Sequence, residues 1–234
     1  MFSFFGSKSK IVNLYPPPKF PRIIEPFAGS ARYALKYHHL DVLLVEIDPI
    51  IYRIWYWLIH EATKSDIAAL PRLKRGDDLR NMKQLSDVER DLLGFAVSWG
   101  MSRPGNIVTP RADATGWDKS DPRWRPNNCL DLLKTNILRH LDGIKHWKIV
   151  NTSYEKLRIN PEVTWFIDAP YQCPAGRSYT FSDIDYKTLA SWCKKRRGQV
   201  IVCESREADW LPFIPMTTGY RGSMGPLKES VYLQ

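Results

Sequence analysis

TWFIDAPY, residues 164–171, is the stretch that decides the predicted fold. An apolar run over residues 163–167 ends at a carboxylate, which is followed by a proline and an aromatic ring. Buried strands of α/β sheets have such sequences, and polar groups just past their carboxyl ends form the ligand sites of open sheets. The Asp168 carboxylate, the Ala169 carbonyl and the Tyr171 ring together suit a planar base. The alternative is a strand capped by Asp168 and followed by a Pro-Tyr turn.

The composition indicates a nucleic-acid partner. The chain has 234 residues and a formal net charge of +9, and a basic chain favours polyanions, nucleic acid first. Nine tryptophans and eleven tyrosines offer rings for base stacking, although such rings also build protein cores. Ribosomal or membrane-surface binding would also fit this charge. The length suits one domain with an insertion.

The cysteines suggest neither a metal site nor a disulfide framework. They are Cys129, Cys173, Cys193 and Cys203, and none forms a CxxC pair. A reducing cytoplasm is therefore the expected compartment. We also expect no membrane span and no signal peptide, because no apolar run is long enough and the N-terminus lacks a charged start.

The N-terminal stretch FFGSKSK, residues 4–10, places an aromatic pair before a Gly-Ser turn and two lysines. A short helix containing Ile11, Leu14 and Tyr15 is predicted to follow, ended by three prolines. Such a turn offers N–H groups and a lysine to a carboxylate or phosphate. The alternative is an unstructured basic terminus.

A strand, a glycine turn and a helix are predicted over residues 22–37. The strand ends at Ile24, the turn covers residues 25–31, and residues 31–37 form the helix. This order opens a Rossmann-like nucleotide-binding unit. Only Gly29 stands where a dinucleotide fold has three glycines, so NAD is disfavoured.

The second predicted strand, residues 41–48, ends at Asp48. This acid lies 19 positions after Gly29, near the spacing at which an acid binds ribose hydroxyls. Pro49 begins the next helix, residues 50–60. Alternatively, Asp48 only caps that helix.

The alternation of strands and helices is interrupted over residues 66–148. Helices are predicted over residues 87–99 and 130–144 from their apolar spacing. Between them, residues 101–128 combine basic side chains with tryptophans, which suits phosphate contact and base stacking. The candidate DNA-binding residues are Arg103, Arg111, Trp117, Lys119, Arg123, Trp124 and Arg125. The alternative is an irregular insertion whose charges are merely solvated.

The α/β pattern resumes after the insertion. Strands are predicted over residues 148–153, 163–167, 199–203 and 230–233. A helix containing Tyr186, Leu189 and Cys193 is predicted after a capping box over residues 182–185. The basic run KKRR, residues 194–197, fits a helix end matched to the helix dipole better than a DNA contact.

Four motifs in this order resemble the Dam-like, N6-adenine-specific DNA methyltransferases of phages and prophages. Residues 4–8 resemble the aromatic-x-Gly-Gly-Lys motif, and residues 25–30 resemble the Phe-x-Gly methionine-binding motif. Asp48 stands at the acid after the second strand, and residues 168–171 resemble the catalytic Asp-Pro-Pro-Tyr. The resemblance covers most of the chain outside the insertion. In that family an insertion at this place reads the target sequence.

The resemblance implies an α/β fold, a Rossmann-like S-adenosylmethionine-dependent methyltransferase sheet with helices on both faces. Residues 1–65 and 149–234 would form the catalytic domain, and residues 66–148 a mostly helical or irregular target-recognition segment. The reaction would transfer a methyl group from S-adenosylmethionine to the N6 amine of adenine in DNA, after base flipping. The chain would act as a monomer on double-stranded DNA, without metal or membrane, in the cytoplasm of a bacterial or phage-infected cell.

The resemblance also implies roles for individual residues. The Asp168 carboxylate and the Ala169 carbonyl would accept hydrogen bonds from the two N–H groups of the amine and make its lone pair available. Tyr171 would stack on the flipped base. Lys8 and the turn at Gly29 would lie near the methionine part of the cofactor. The catalytic set is Asp168, Ala169, Pro170 and Tyr171. The cofactor set is Phe5, Gly6, Lys8, Glu25, Phe27, Gly29, Ser30, Asp48, Ser153 and Asp168.

Three positions depart from the family pattern. Ala169 replaces the first proline, although Pro170 still biases it towards an extended conformation. Ala31 stands where a second glycine is frequent, which is tolerated if the residue is already helical. Ser153 replaces an Asp near the cofactor's adenine. A decayed DNA-binding relative therefore remains an alternative, as do cytosine-N4 and RNA adenine as methyl acceptors.

Overall fold

The computed structural model describes residues 1–2, 4–98, 101–109, 112, 129–216, 221–222, 225–226 and 229–234. The strands are β1 (Arg22–Glu25), β2 (Asp41–Glu46), β3 (Lys148–Asn151), β4 (Val163–Ile167), β5 (Gly198–Ser205), β6 (Ile214–Met216), β7 (Arg221–Gly222), β8 (Gly225–Pro226) and β9 (Glu229–Leu233). The helices are α1 (Arg32–Lys36), α2 (Pro49–Tyr56), α3 (Lys64–Ala69), α4 (Asp87–Val97), α5 (Cys129–His140) and α6 (Tyr186–Lys194). A π-helical turn, Trp57–Glu61, continues α2.

The chain divides into two compact units. The sheet unit consists of Lys8–Tyr52 and His146–Gln234, and the helical unit of Met1–Ser7 and Arg53–Lys145. Compared with the predicted insertion, residues 66–148, the helical unit begins earlier, at Arg53, and it includes the N-terminal residues Met1–Ser7. A role of the insertion in target recognition stays a prediction.

Seven strands form the main sheet, in the order β3-β2-β1-β4-β5-β9-β6. The first five pair in parallel, whereas β9 runs antiparallel to both β5 and β6. The predicted α/β class is thereby confirmed. Chain order reverses between β1 and β4, and the carboxyl ends of strands at such a switch point border the ligand crevice of open α/β sheets.

Helices cover both faces of the sheet unit. Trp165 and Phe166 are consecutive residues of β4, so their side chains point to opposite faces. Tyr33 of α1 stacks on Phe166 with ring centroids 4.2 Å apart, and Trp192 of α6 meets Trp165 edge to face at 5.5 Å. The strand is buried along its whole length, which explains its continuous apolar sequence.

Aromatic packing attaches the N-terminus to the helical unit. Phe2 is fully buried, and its ring centroid lies 5.7 Å from that of Trp55 and 5.6 Å from that of Phe95. Helix α4 begins with a capping box formed by Ser86 and Glu89. Throughout the described ranges, every helix is too short or too polar to cross a membrane.

Several element ends differ from the sequence predictions. The predicted helix around residues 11–15 is a pair of 3-10 turns, Lys8–Lys10 and Val12–Leu14. The capping box over residues 182–185 is wrong, because Asp185 itself is the N-cap of α6 and accepts from the N–H groups of Lys187 and Thr188.

Two strand ends and two helix ends also shifted. Strands β2 and β3 stop at Glu46 and Asn151, two residues earlier than predicted. Helix α4 ends at Val97, and α5 ends at His140 before a separate 3-10 turn, Asp142–Ile144.

Candidate active site

Asp168 follows the carboxyl end of β4 directly, beside the switch point. Its Oδ1 lies 2.6 Å from Nζ of Lys8, which is buried. Burial raises the pKa of Asp168, and the neighbouring ammonium opposes this rise. Burial alone would lower the pKa of Lys8, but Asp168 and Glu229 raise it above its ordinary value. The alternative of an unstructured N-terminus is therefore wrong at Lys8, which forms a buried ion pair.

Tyr171 is held at its ring face and at its hydroxyl. Nζ of Lys8 lies 4.6 Å from the ring centroid, within the range of a cation–π interaction. The hydroxyl donates a short hydrogen bond to Oε1 of Glu229, the first residue of β9. Tyr15 donates to the same oxygen, at 2.5 Å. Burial raises the pKa of Tyr171, so its phenol stays protonated.

The loop after Asp168 is tied down by residues from other elements. Ala169 and Pro170 are buried, and the hydroxyl of Tyr186 in α6 donates to the carbonyl of Pro170 at 3.0 Å. The carboxylate of Glu204 in β5 accepts from the backbone N–H of Gln172 at 3.0 Å. These contacts bring the four predicted catalytic residues into one fixed loop.

The turn after β1 carries two predicted cofactor residues, Glu25 and Gly29. Oε1 of Glu25 accepts from the backbone N–H of Ala34 in α1 at 2.6 Å. Burial raises the pKa of Glu25 to about 8. Gly29 has φ +43° and Ala31 has φ +45°, both in the left-handed region. The expectation that Ala31 is already helical is wrong, because α1 begins at Arg32 and Ala31 is its left-handed N-cap.

The end of β2 contains an acid that the sequence analysis missed. Glu46 is buried, and its two carboxylate oxygens accept from the backbone N–H groups of Gly29 and Asp48, each at 3.0 Å. Burial raises the pKa of Glu46 to about 7. Asp48 accepts from the N–H of Ile50 at 2.8 Å, which is the helix-capping alternative; its contact with ribose stays a prediction.

Other predicted cofactor residues have local structural partners. Ser30 is buried in the turn after β1. Phe27 packs on Tyr154 with ring centroids 5.3 Å apart. Ser153 caps the 3-10 turn Tyr154–Lys156, and its hydroxyl accepts from the N–H of Glu155 at 3.1 Å.

Phe5 and Gly6 belong to the helical unit, whereas Lys8 belongs to the sheet unit. The backbone N–H of Phe5 donates to the carbonyl of Met101 at 3.3 Å. Arg103 is exposed. The other predicted DNA-binding residues lie outside the described residues; they are Arg111, Trp117, Lys119, Arg123, Trp124 and Arg125.

The structure adds four residues to the site that sequence reasoning missed: Tyr15, Glu46, Glu204 and Glu229. Glu46 had a sequence signal, since it is an acid close to the carboxyl end of the second predicted strand. The others reach the site from distant strands and turns, and no local pattern marks them.

Comparisons with known proteins do not assign a family. No family model matches the sequence, and no match is found among curated proteins. A conserved hypothetical protein of Streptococcus pyogenes is similar in structure over 91% of this chain and 84% of its own, with 10% identity and a TM-score of 0.37. An rRNA methyltransferase, aviRa, of Streptomyces viridochromogenes covers 91% of this chain and 75% of its own, with 11% identity and a TM-score of 0.36. These TM-scores are too low to establish a shared fold or function.

Proposed function

We propose that this protein is an S-adenosylmethionine-dependent methyltransferase that acts on the N6 amine of adenine in double-stranded DNA. One observation carries the proposal. The Asp168–Tyr171 loop follows β4 at the switch point of a parallel sheet, with its acid paired to Lys8 and its ring fixed by Glu229.

Asp168 is suited to accept a hydrogen bond from an exocyclic amine. The lone pair of adenine N6 is delocalised into the ring, so the amine is a weak nucleophile. A carboxylate and a carbonyl that accept hydrogen bonds from its two N–H groups favour a pyramidal nitrogen. Because these acceptors are already fixed, they do not need to reorganise during the reaction. The carboxylate must be ionised for this role. Lys8 supports the ionised form against the effect of burial.

Tyr171 supplies a flat surface for a base outside the duplex. Flipping the base costs a few kcal/mol of unstacking, and stacking on an aromatic ring returns about 1–3 kcal/mol per base. Because Lys8 and Glu229 restrain the ring, little ordering of Tyr171 remains to be done when the base arrives. After the methyl group has been transferred, the nitrogen loses one proton, for which the Asp168 carboxylate is the adjacent acceptor.

The acids at the strand ends fit the proposed cofactor. Glu25 and Glu46 are buried at the ends of β1 and β2, and burial raises the pKa of each carboxyl group. Hydroxyl donors and positive charge are the ligand groups that would stabilise such acids. S-adenosylmethionine has ribose hydroxyls, an ammonium group and a sulfonium, and when bound it supplies the methyl group. Glu46, Asp48 and the turn at Gly29 are the residues that we assign to it.

The test is to incubate the protein with unmethylated DNA of mixed sequence and labelled S-adenosylmethionine, and to analyse the nucleosides by mass spectrometry. We expect N6-methyladenine, and none from Asp168→Ala, which removes the acceptor but leaves β4 intact. Asp185→Ala is a matched control at an exposed helix cap. DNA without N6-methyladenine would refute the proposal. N4-methylcytosine in the DNA, or a methylated product only in a parallel incubation with RNA, would identify another acceptor. Binding of DNA without binding of S-adenosylmethionine, measured by calorimetry, would indicate a decayed relative.

A further inference from the structure

Glu229 is a buried carboxylate that the predicted motifs do not include. It begins β9, the antiparallel strand between β5 and β6, and 5% of its surface is exposed. Its Oε1 accepts the hydroxyls of Tyr15 and Tyr171. The guanidinium of Arg206 donates to its backbone carbonyl, at 3.5 Å, rather than to the carboxylate. The side chain of Glu229 is therefore directed at two phenols, and the nearby ammonium of Lys8 opposes the rise in its pKa that burial causes.

The two tyrosines differ in their surroundings. Tyr15 is 2% exposed and meets Phe166 edge to face, with ring centroids 5.1 Å apart, so core packing already fixes it. Tyr171 is less buried and lies in a loop, where Lys8 contacts its ring face and Glu229 its hydroxyl. The hydroxyl oxygen lies on the axis about which the ring turns, so the bond to Glu229 fixes the direction of that axis, while the ammonium of Lys8 faces the ring.

We propose that Glu229 is a positioning residue, which anchors the hydroxyl end of the Tyr171 ring and so holds in place the ring on which the flipped adenine stacks. This inference rests on the proposed function, and it assigns the carboxyl-terminal strand a part in orienting the substrate.

A purely structural role explains this carboxylate poorly. Removing a carboxylate from water is costly unless its oxygens are paired, and replacing a buried charge with an apolar residue often stabilises a protein. Tyr15 would remain packed on Phe166 without its hydrogen bond. The group that gains from a fixed acceptor is Tyr171, which lies in a loop and is less buried than Tyr15.

The experiment compares Glu229→Ala, Glu229→Gln and Tyr171→Phe, each alone and Glu229→Ala together with Tyr171→Phe. We expect Glu229→Ala and Tyr171→Phe each to lower kcat about 10-fold, the loss expected for one hydrogen bond to a charged group. The double variant should lose no more than either single variant, because both remove the same bond. Glu229→Gln keeps an acceptor and should retain most of the activity.

A second readout follows the stacked base. DNA with 2-aminopurine at the methylated position should be quenched by stacking in the wild-type complex and should emit more strongly with Glu229→Ala. Tyr232→Phe is the matched control: it removes a phenol hydrogen bond of the same strand, to Gln234 at 3.0 Å, outside the site, so kcat and emission should stay near wild type.

The inference would be overturned, while the proposed function stands, if the double variant lost kcat by the product of the two single losses. Unchanged 2-aminopurine emission with Glu229→Ala would have the same consequence. A wild-type protein that forms no N6-methyladenine would overturn the proposed function and this inference with it. If Glu229→Ala fails to fold, the decision rests on Glu229→Gln. If this variant loses as much kcat as Tyr171→Phe does, the inference that Glu229 acts as a hydrogen-bond acceptor is overturned.

Discussion

A methyl group added at Gly176 tests whether the position of Tyr171 limits the reaction. Gly176 lies in the 3-10 turn Pro174–Ser178, and a Cβ built there would lie 1.9 Å from the carbonyl oxygen of Tyr171 and 2.8 Å from its backbone nitrogen. Since Cβ contacts below 3.0 Å are essentially never seen, the two backbones must separate by about 1.1 Å, from 3.0 − 1.9. Both clashing atoms are backbone atoms, so no side-chain rotation can relieve them.

Gly176→Ala should therefore lower kcat about 100-fold, the loss that a displacement of about 1 Å at a reacting group can cause. The sheet should remain folded, because the turn lies outside its strands. The measurements are methylation under single-turnover conditions and the midpoint of thermal unfolding. Ala175→Gly is the matched control, since it changes an exposed neighbour in the same turn without adding atoms. A folded Gly176→Ala protein that methylates DNA at the wild-type rate would show that the position of Tyr171 does not limit the reaction.

Four further predictions concern single groups of the site. Lys8→Met should move the acid limb of the kcat–pH profile to higher pH, because the ammonium lowers the pKa that burial raises at Asp168 and only the ionised acid accepts the amine. An unchanged kcat–pH profile would show that Lys8 does not control the ionisation of Asp168. Tyr171→Ala should weaken binding of DNA with a mismatched target adenine by about 1–3 kcal/mol in fluorescence anisotropy, the value of one stacked base. Equal affinities would contradict the stacking role. Ala31→Gly should raise the free energy of unfolding in urea by up to about 1 kcal/mol, because a left-handed alanine costs about 1–2 kcal/mol and the greater freedom of unfolded glycine offsets part of it. A destabilised variant would contradict the left-handed conformation. Binding of S-adenosylmethionine near pH 7 should release protons, because a cation beside Glu46, whose pKa is raised to about 7, favours its ionised form. Calorimetry in two buffers of different ionisation enthalpy measures this release, and proton uptake would contradict it.

Features with local causes could be predicted from the sequence. The apolar run of β4 ends where Asp168 turns the chain out of the sheet, so strand and acid are visible together. The parallel sheet follows from alternating strands and helices, which require crossover connections. The antiparallel direction of the last strand could not be predicted from the sequence, because it depends on which strands β9 pairs with.

Features that depend on pairing could not be predicted. Glu229 is 58 residues from Tyr171 and 214 from Tyr15, and it meets both only because β9 inserts beside β5. The choice between Glu46 and Asp48 depends on where β2 stops. Glu46 still pairs with Asn151 of β3, whereas Asp48 already caps α2. Spacing from Gly29 alone cannot separate two acids that lie two residues apart.

The excess of buried acid in the sheet unit is easier to explain by a ligand than by folding. Burial raises the pKa of Glu25 to about 8 and of Glu46 to about 7, from an ordinary value of 4.5. Between pH 4.5 and the raised pKa of each acid, the native protein binds more protons than the unfolded chain. Both acids therefore make the free energy of unfolding fall as the pH rises through that range. Among the described residues Lys8 is the buried cation, and it is already paired with Asp168. A phosphate-bearing cofactor would add negative charge to these strand ends. A cofactor with hydroxyl donors and a sulfonium would instead stabilise them, so the same acids that destabilise the free protein favour the cofactor that we propose.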